Sequence, residues 1–174
     1  MPHNLRMEQR EIRQLFDYHY WAYGHLIGHL SQLTPAQISA PSDRFYHQTA
    51  FLTVRHLLDV DWSWMQWCMG LPGFEYFWEV EDLPDLKALQ GFLTREQHRV
   101  MAYLDTLSAD DLAREIDIGT AQRREPCWFK QWQILLHIVN HGTEHLTELA
   151  HYLTDVGHSP GEINFMHYLT NIEK

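Results

Sequence analysis

Trp132-Gln133-Ile134-Leu135-Leu136-His137-Ile138-Val139-Asn140-His141-Gly142-Thr143-Glu144-His145 is the stretch that decides how the chain folds. Its apolar residues recur every three to four positions, the period of a helix that turns one face inward. The pattern runs from about Phe129 to Val156 and stops at Gly157, with Pro160-Gly161 beyond. Within it His137, His141 and His145 recur every four residues, and such neighbours stand ~5–6 Å apart on one helix face. At ~100° per residue, His141 and His145 fall beside Ile134, Ile138 and Tyr152 at the edge of the apolar stripe. His137 rotates toward the polar side. Gly142 lies in the apolar face, where a missing side chain lets another helix approach closely.

Three further segments share this periodicity. The first spans about Glu8 to Leu30, with Ile12, Leu15, Phe16, Ala22, Tyr23, Leu26 and Leu30 on one face, and ends before Thr34-Pro35. The second spans about Thr49 to Met69 and meets Gly70, a residue suited to a helix C-cap. An aromatic-rich loop from Leu71 to Leu83 leads to the third, from Pro84 or Asp85 to Leu107. Ser108 to Cys127 carries no sustained period and reads as a connection with one short turn. A tail from Ile163 to Leu169 reads as a final turn. With no alternating β-rich runs, the expected architecture is an all-α four-helix bundle, and 174 residues fit a single domain over 1–174.

Composition narrows the function classes. A formal net charge of −10 argues against nucleic acid as a partner, since phosphate binding needs clustered Lys and Arg. No apolar run reaches the ~20 residues of a membrane span. Met1 to Arg10 lacks the apolar core of a secretory signal, and Cys68 and Cys127 form no CxxC pair, so a cytoplasmic location is expected. Cys68, in phase with Val54, Leu57 and Met65, reads as a buried apolar residue rather than a nucleophile.

Histidine is the outlier, at thirteen residues dispersed through the helical segments. His56, on the margin of the second helix's apolar arc, can point across the bundle. It is the natural third ligand beside His141 and His145, because two imidazoles from one helix and one from another build a three-histidine site with an open position. His19, in the middle of the first helix's apolar face, is a rival or supporting candidate. His25, His29, His47, His98, His151, His158 and His167 offer no comparable pairing and read as mostly solvated.

Two enzyme motifs are present in letters only. His141-Gly142-Thr143-Glu144-His145 matches H-x-x-E-H, but only 29 residues follow, too few for the downstream glutamate ligand of an inverted zincin. Glu148-Leu149-Ala150-His151 matches the E-x-x-H of di-iron bundles, which need a second copy that is absent. Among carboxylates, Asp61 falls mid-stripe on the second helix and needs a partner if buried. That partner is a tyrosine hydroxyl, an arginine, a backbone donor, or the second ring nitrogen of a ligating histidine. Glu148, one turn past His145, is placed to accept a bond from that histidine, to bind the metal, or to act on bound water, with a plain solvated glutamate as the alternative. Asp61 and Glu148 are thus the candidate catalytic residues.

Phe16-Asp17-Tyr18-His19-Tyr20-Trp21, Val54-Arg55-His56-Leu57-Leu58 with Asp61 and Trp64, and above all the stretch from Trp132 to His145 resemble the DinB/YfiT-like family of helical bundles. The resemblance covers nearly the whole chain. It implies an up-down-down-up bundle, frequent homodimers, and a nickel, zinc or other divalent ion (Ni2+ or Zn2+ foremost) held at the positions of His56, His141 and His145. Where many relatives have asparagine this chain has His19, and Leu146-Thr147-Glu148 replaces an Arg-Gly-Gln run.

Three functions follow as expectations. One is a metal-dependent transferase that binds a low-molecular-weight thiol as thiolate and aims it at a small electrophilic substrate, with the loop from Phe74 to Trp78 lining the acceptor pocket. Another is a hydrolase using metal-bound water, with Glu148 or Asp61 as base. The third is a non-enzymatic metal or small-ligand binding protein of a stress response.

Overall fold

The computed structural model describes residues 8–71, 82–119 and 125–172. Four long helices dominate: α1 (Gln9–Leu30), α3 (Ala50–Met69), α4 (Leu86–Leu104) and α6 (Gln131–Asp155). Short helices α2 (Pro35–Ile38), α5 (Ala109–Ala113) and α7 (Phe165–Asn171) lie between or after them. The helix limits follow local chemistry. Thr49 caps α3 by accepting from the Leu52 amide at 3.1 Å, and Asp85 caps α4 by accepting from Ala88 at 2.8 Å. Gly70 closes α3 with a left-handed φ of 66°, which only a residue without Cβ adopts cheaply.

Side-chain contacts fix the direction of each helix. Gln9, at the start of α1, donates to the Leu104 carbonyl at the end of α4 at 3.0 Å, so these helices are antiparallel. Tyr103, also at the end of α4, donates to the Cys68 carbonyl at the end of α3 at 2.6 Å, so α3 and α4 run the same way. The Gln131 amide at the start of α6 donates to the Tyr103 hydroxyl at 2.7 Å, which turns α6 back. The result is up-down-down-up. Arg114 completes this end by donating to the Cys68 carbonyl at 3.0 Å and to Gln131 Oε1 at 2.7 Å.

The core sits between the four helices. Phe16, Tyr23 and Leu26 of α1 meet Val54, Leu57 and Met65 of α3, Leu89 and Leu104 of α4, and Leu135, Ile138 and Leu149 of α6. α7 packs its Phe165 and Tyr168 rings on Tyr18, 5.2 and 5.8 Å away between centroids. No helix among the described residues is long and apolar enough to cross a membrane.

The described part of the segment from Ser108 to Cys127 is more structured than expected. It contains α5 and a strand β1 (Glu115–Asp117), which pairs antiparallel with β2 (Trp128–Lys130) in the register Ile116 opposite Phe129. Consequently α6 begins at Gln131, two residues later than its periodicity suggests. Asp117 ties the ribbon by accepting from the Gly119 and Cys127 amides, each at 2.9 Å. Three-residue strands are too short to display alternation in sequence. The aromatic residues Phe74 to Trp78, expected to line an acceptor pocket, fall outside the described residues.

Candidate metal centre

Antiparallel packing of α3 on α6 brings His56, two turns into α3, level with His141 and His145, one turn apart on α6. The three imidazoles meet edge to face, with centroids 5.1 Å apart for His56 and His141, 5.1 Å for His56 and His145, and 4.7 Å for His141 and His145. Nε2 of His56 lies 3.2 Å from Nε2 of His141. Two nitrogens on one tetrahedral ion with bonds of ~2.0–2.1 Å stand about 3.3 Å apart, so this separation fits a shared metal. Burial, reinforced by the neighbouring histidines, lowers His56 to about 4 and His141 to about 3. Both rings are therefore neutral near pH 7, the form that binds metal.

His145 is oriented from behind. Its Nδ1 donates to Glu148 Oε2 at 3.0 Å, which leaves Nε2 with a free lone pair. Of the readings open to Glu148 in sequence, a solvated residue among them, this geometry shows the bond to His145. A carboxylate in that place fixes the orientation and tautomer of the ring.

His47 joins the cluster, although the sequence pattern groups it with solvated histidines. Its ring stacks on His56 at 3.8 Å and sits 5.4 Å from His145. Ligand atoms of His47, His56 and His145 all lie within 4.8 Å of one another. His47 precedes α3 in a turn, where no helical period could mark it. Its pKa is lowered, first by burial and then by His145.

Asp61 has a histidine partner, but not one from the cluster. Its Oδ2 lies 2.7 Å from His19 Nε2, with both side chains inside the bundle. His19 is the residue that exploits Gly142. A Cβ at that glycine would stand 2.3 Å from His19 Cε1, so the close approach admits an imidazole ring rather than a helix backbone. Burial and Asp61 push the hydroxyl of adjacent Tyr23 well above its usual pKa.

The other histidines separate cleanly. His137 is exposed and stands edge-on to Trp64 at 5.1 Å. His151 and His98 are exposed, and His25 faces the Pro160 carbonyl at 2.8 Å. Glu144, the central residue of the H-x-x-E-H letters, is exposed on the far side of α6, as a solvated residue would be. Cys68 is fully buried and its thiol is pushed up to about 12, chiefly by burial. Beside the cluster, a cleft of about 390 Å³ is lined by Trp64, Ile118, Phe129, Gln133, Ile134 and His137.

Of these residues His47, His56 and His145 are grouped closely enough to hold a metal ion, and His141 adjoins them through its 3.2 Å approach to His56. The family model that matches the chain is described as the DinB family and covers residues 1–174. No curated protein is significantly similar to the chain.

Proposed function

Because this chain belongs to the DinB family over its whole length, we propose that it holds one divalent metal ion through His56, His141 and His145 and uses it in catalysis. The observation that carries the reading is the 3.2 Å approach of the His56 and His141 Nε2 atoms beside the Glu148-backed His145. Nickel or zinc is the proposed ion, since imidazole donors rank both above manganese or iron. When bound, such an ion supplies Lewis acidity that lowers the pKa of a coordinated thiol or water.

The distribution of carboxylates favours a thiol-dependent transferase over a hydrolase. Asp61 is committed to His19, and Glu148 to His145. Neither is held ready as a base for water, whereas a thiol bound as thiolate is already nucleophilic. The cleft from Trp64 to Phe129 opens one turn along α6 from His141 and suits a small apolar electrophile. Trp64, Ile118 and Ile134 would exclude water around it, and His137 at its rim would face the polar end of the acceptor. We extend the proposal to a single-domain, cytoplasmic homodimer. Large apolar side chains left exposed, Trp128, Phe129 and Met166 among them, are candidates for its interface.

The test is metal content and binding constant for the parent and for His56→Ala, His141→Ala and His145→Ala, each checked for helicity. Each variant is expected to bind at least ~10-fold more weakly, as even changes behind a ligand do. His137→Ala and His151→Ala should keep nearly full occupancy. Full occupancy in His141→Ala and His145→Ala, or equal loss in all five, removes the proposal. A thiolate-to-metal charge-transfer band on adding low-molecular-weight thiols to the cobalt form separates the transferase from a hydrolase or a storage protein.

A further inference from the structure

We infer that His47 is a fourth, displaceable ligand, which caps the coordination position that a three-histidine site leaves open. The inference rests on the metal site proposed above and concerns how that site is guarded. His47 is one of the three residues whose ligand atoms cluster within 4.8 Å, and its ring covers His56 at 3.8 Å. It reaches the cluster from the turn before α3, so it can move without disturbing a helix.

The turn is built to present this side chain. Gln48 has a φ of 70°, a left-handed conformation that a residue with a Cβ rarely adopts. The Thr49 amide donates to the His47 carbonyl at 2.8 Å across it, closing a tight three-residue turn. The Ser42 amide donates to the Gln48 carbonyl at 2.9 Å, and the Gln48 amide to Phe45 at 3.2 Å. Phe45 is buried against Tyr152 of α6, 5.0 Å between ring centroids, and Arg44 pairs with Asp155 at 2.7 Å. Strained backbone persists where surrounding contacts enforce it, and here they hold His47 over the histidines of α3 and α6.

In this arrangement the resting site carries four imidazoles. An incoming anionic donor, such as a small thiolate or an anionic oxygen, would take the place that His47 vacates. His56, His141 and His145 keep the ion throughout. The exchange makes one metal–ligand bond and breaks another, with no change in oxidation state.

The experiment uses the full chain loaded with cobalt(II), whose visible ligand-field bands report the number and type of donors. In His47→Ala the bands should shift, the cobalt dissociation constant should rise at least ~10-fold, and added imidazole should restore the parent spectrum. His47→Asn, which keeps a polar side chain in the turn, should behave the same way if the alanine variant folds poorly. Spectrum and affinity equal to the parent's overturn the inference. So does an altered spectrum that imidazole leaves unchanged, because His47 would then act only through the shape of the turn. Failure of the underlying site shows differently: parent and His145→Ala would take up equal cobalt.

Discussion

His19 and Asp61 meet at 2.7 Å inside the bundle, one from α1 and one from α3, and neither touches solvent appreciably. A pair so buried is held by geometry more than by net energy, since each group alone would be costly to leave in an apolar interior. Removing either partner should therefore destabilise the fold by about 3–5 kcal/mol. His19→Leu and Asp61→Leu together should recover most of that loss. Urea titrations of the two single variants and the double variant check this, and additive losses in the double variant would show that the residues do not act as a pair.

Gly142→Ala should be poorly tolerated despite alanine's better helix propensity. The new Cβ meets the His19 ring at 2.3 Å, and an imidazole clamped by Asp61 has little room to yield. Overpacking of this kind costs about 1–3 kcal/mol. Thermal unfolding measures it, and in the His19→Ala background the same substitution should lose its penalty.

Glu148 acts through His145, so Glu148→Ala should weaken metal binding by about 10–100-fold while leaving the bundle intact. Glu148→Gln keeps an acceptor for the Nδ1 proton and should lie between the parent and the alanine variant. Isothermal titration with zinc distinguishes the three.

Acid should destabilise the metal-free protein from an unusually high pH. His56 and His141 are lowered to about 4 and about 3, against ~6.5 in the unfolded chain. The unfolded state thus takes up protons first. Stability is full above ~6.5 and falls as pH drops toward the folded values. In the folded protein, by contrast, protons compete for these two ligands only well below pH 6.5. Denaturant midpoints of chelator-treated protein between pH 8 and pH 4 check the trend, and a midpoint independent of pH would contradict it.

The four helices were legible because each repeats its apolar residues with a helical period and ends on a recognisable residue, as α3 does between Thr49 and Gly70. Rotation about the helix axis was legible too: it set His141 and His145 apart from His137. Axial position between helices was not. His19 and Asp61 each stood out as a polar residue in an apolar stripe, yet only the stagger of α1 against α3 makes them partners. His47 left no trace, because a residue delivered by a turn has no period to betray it. The β1–β2 ribbon escaped for a related reason, its strands being shorter than two full alternations.

Arg114, Gln131 and Tyr103 lock the ends of α3, α4 and α6 to one another, and that lock makes the pair α3 and α6 a lever. Counting ~1.5 Å per residue, His56 lies ~18 Å from the pivot at Cys68 and His145 ~21 Å from Gln131. An ion held by His56, His141 and His145 would be a clasp toward the other end of the two arms, where Phe45 on Tyr152 and Arg44 on Asp155 already tie the turn before α3 to α6. Arg114, bonded to the ends of α3 and α6 far from the histidines, thus helps to fix the angle between the two helices that any ion on them would have to bridge.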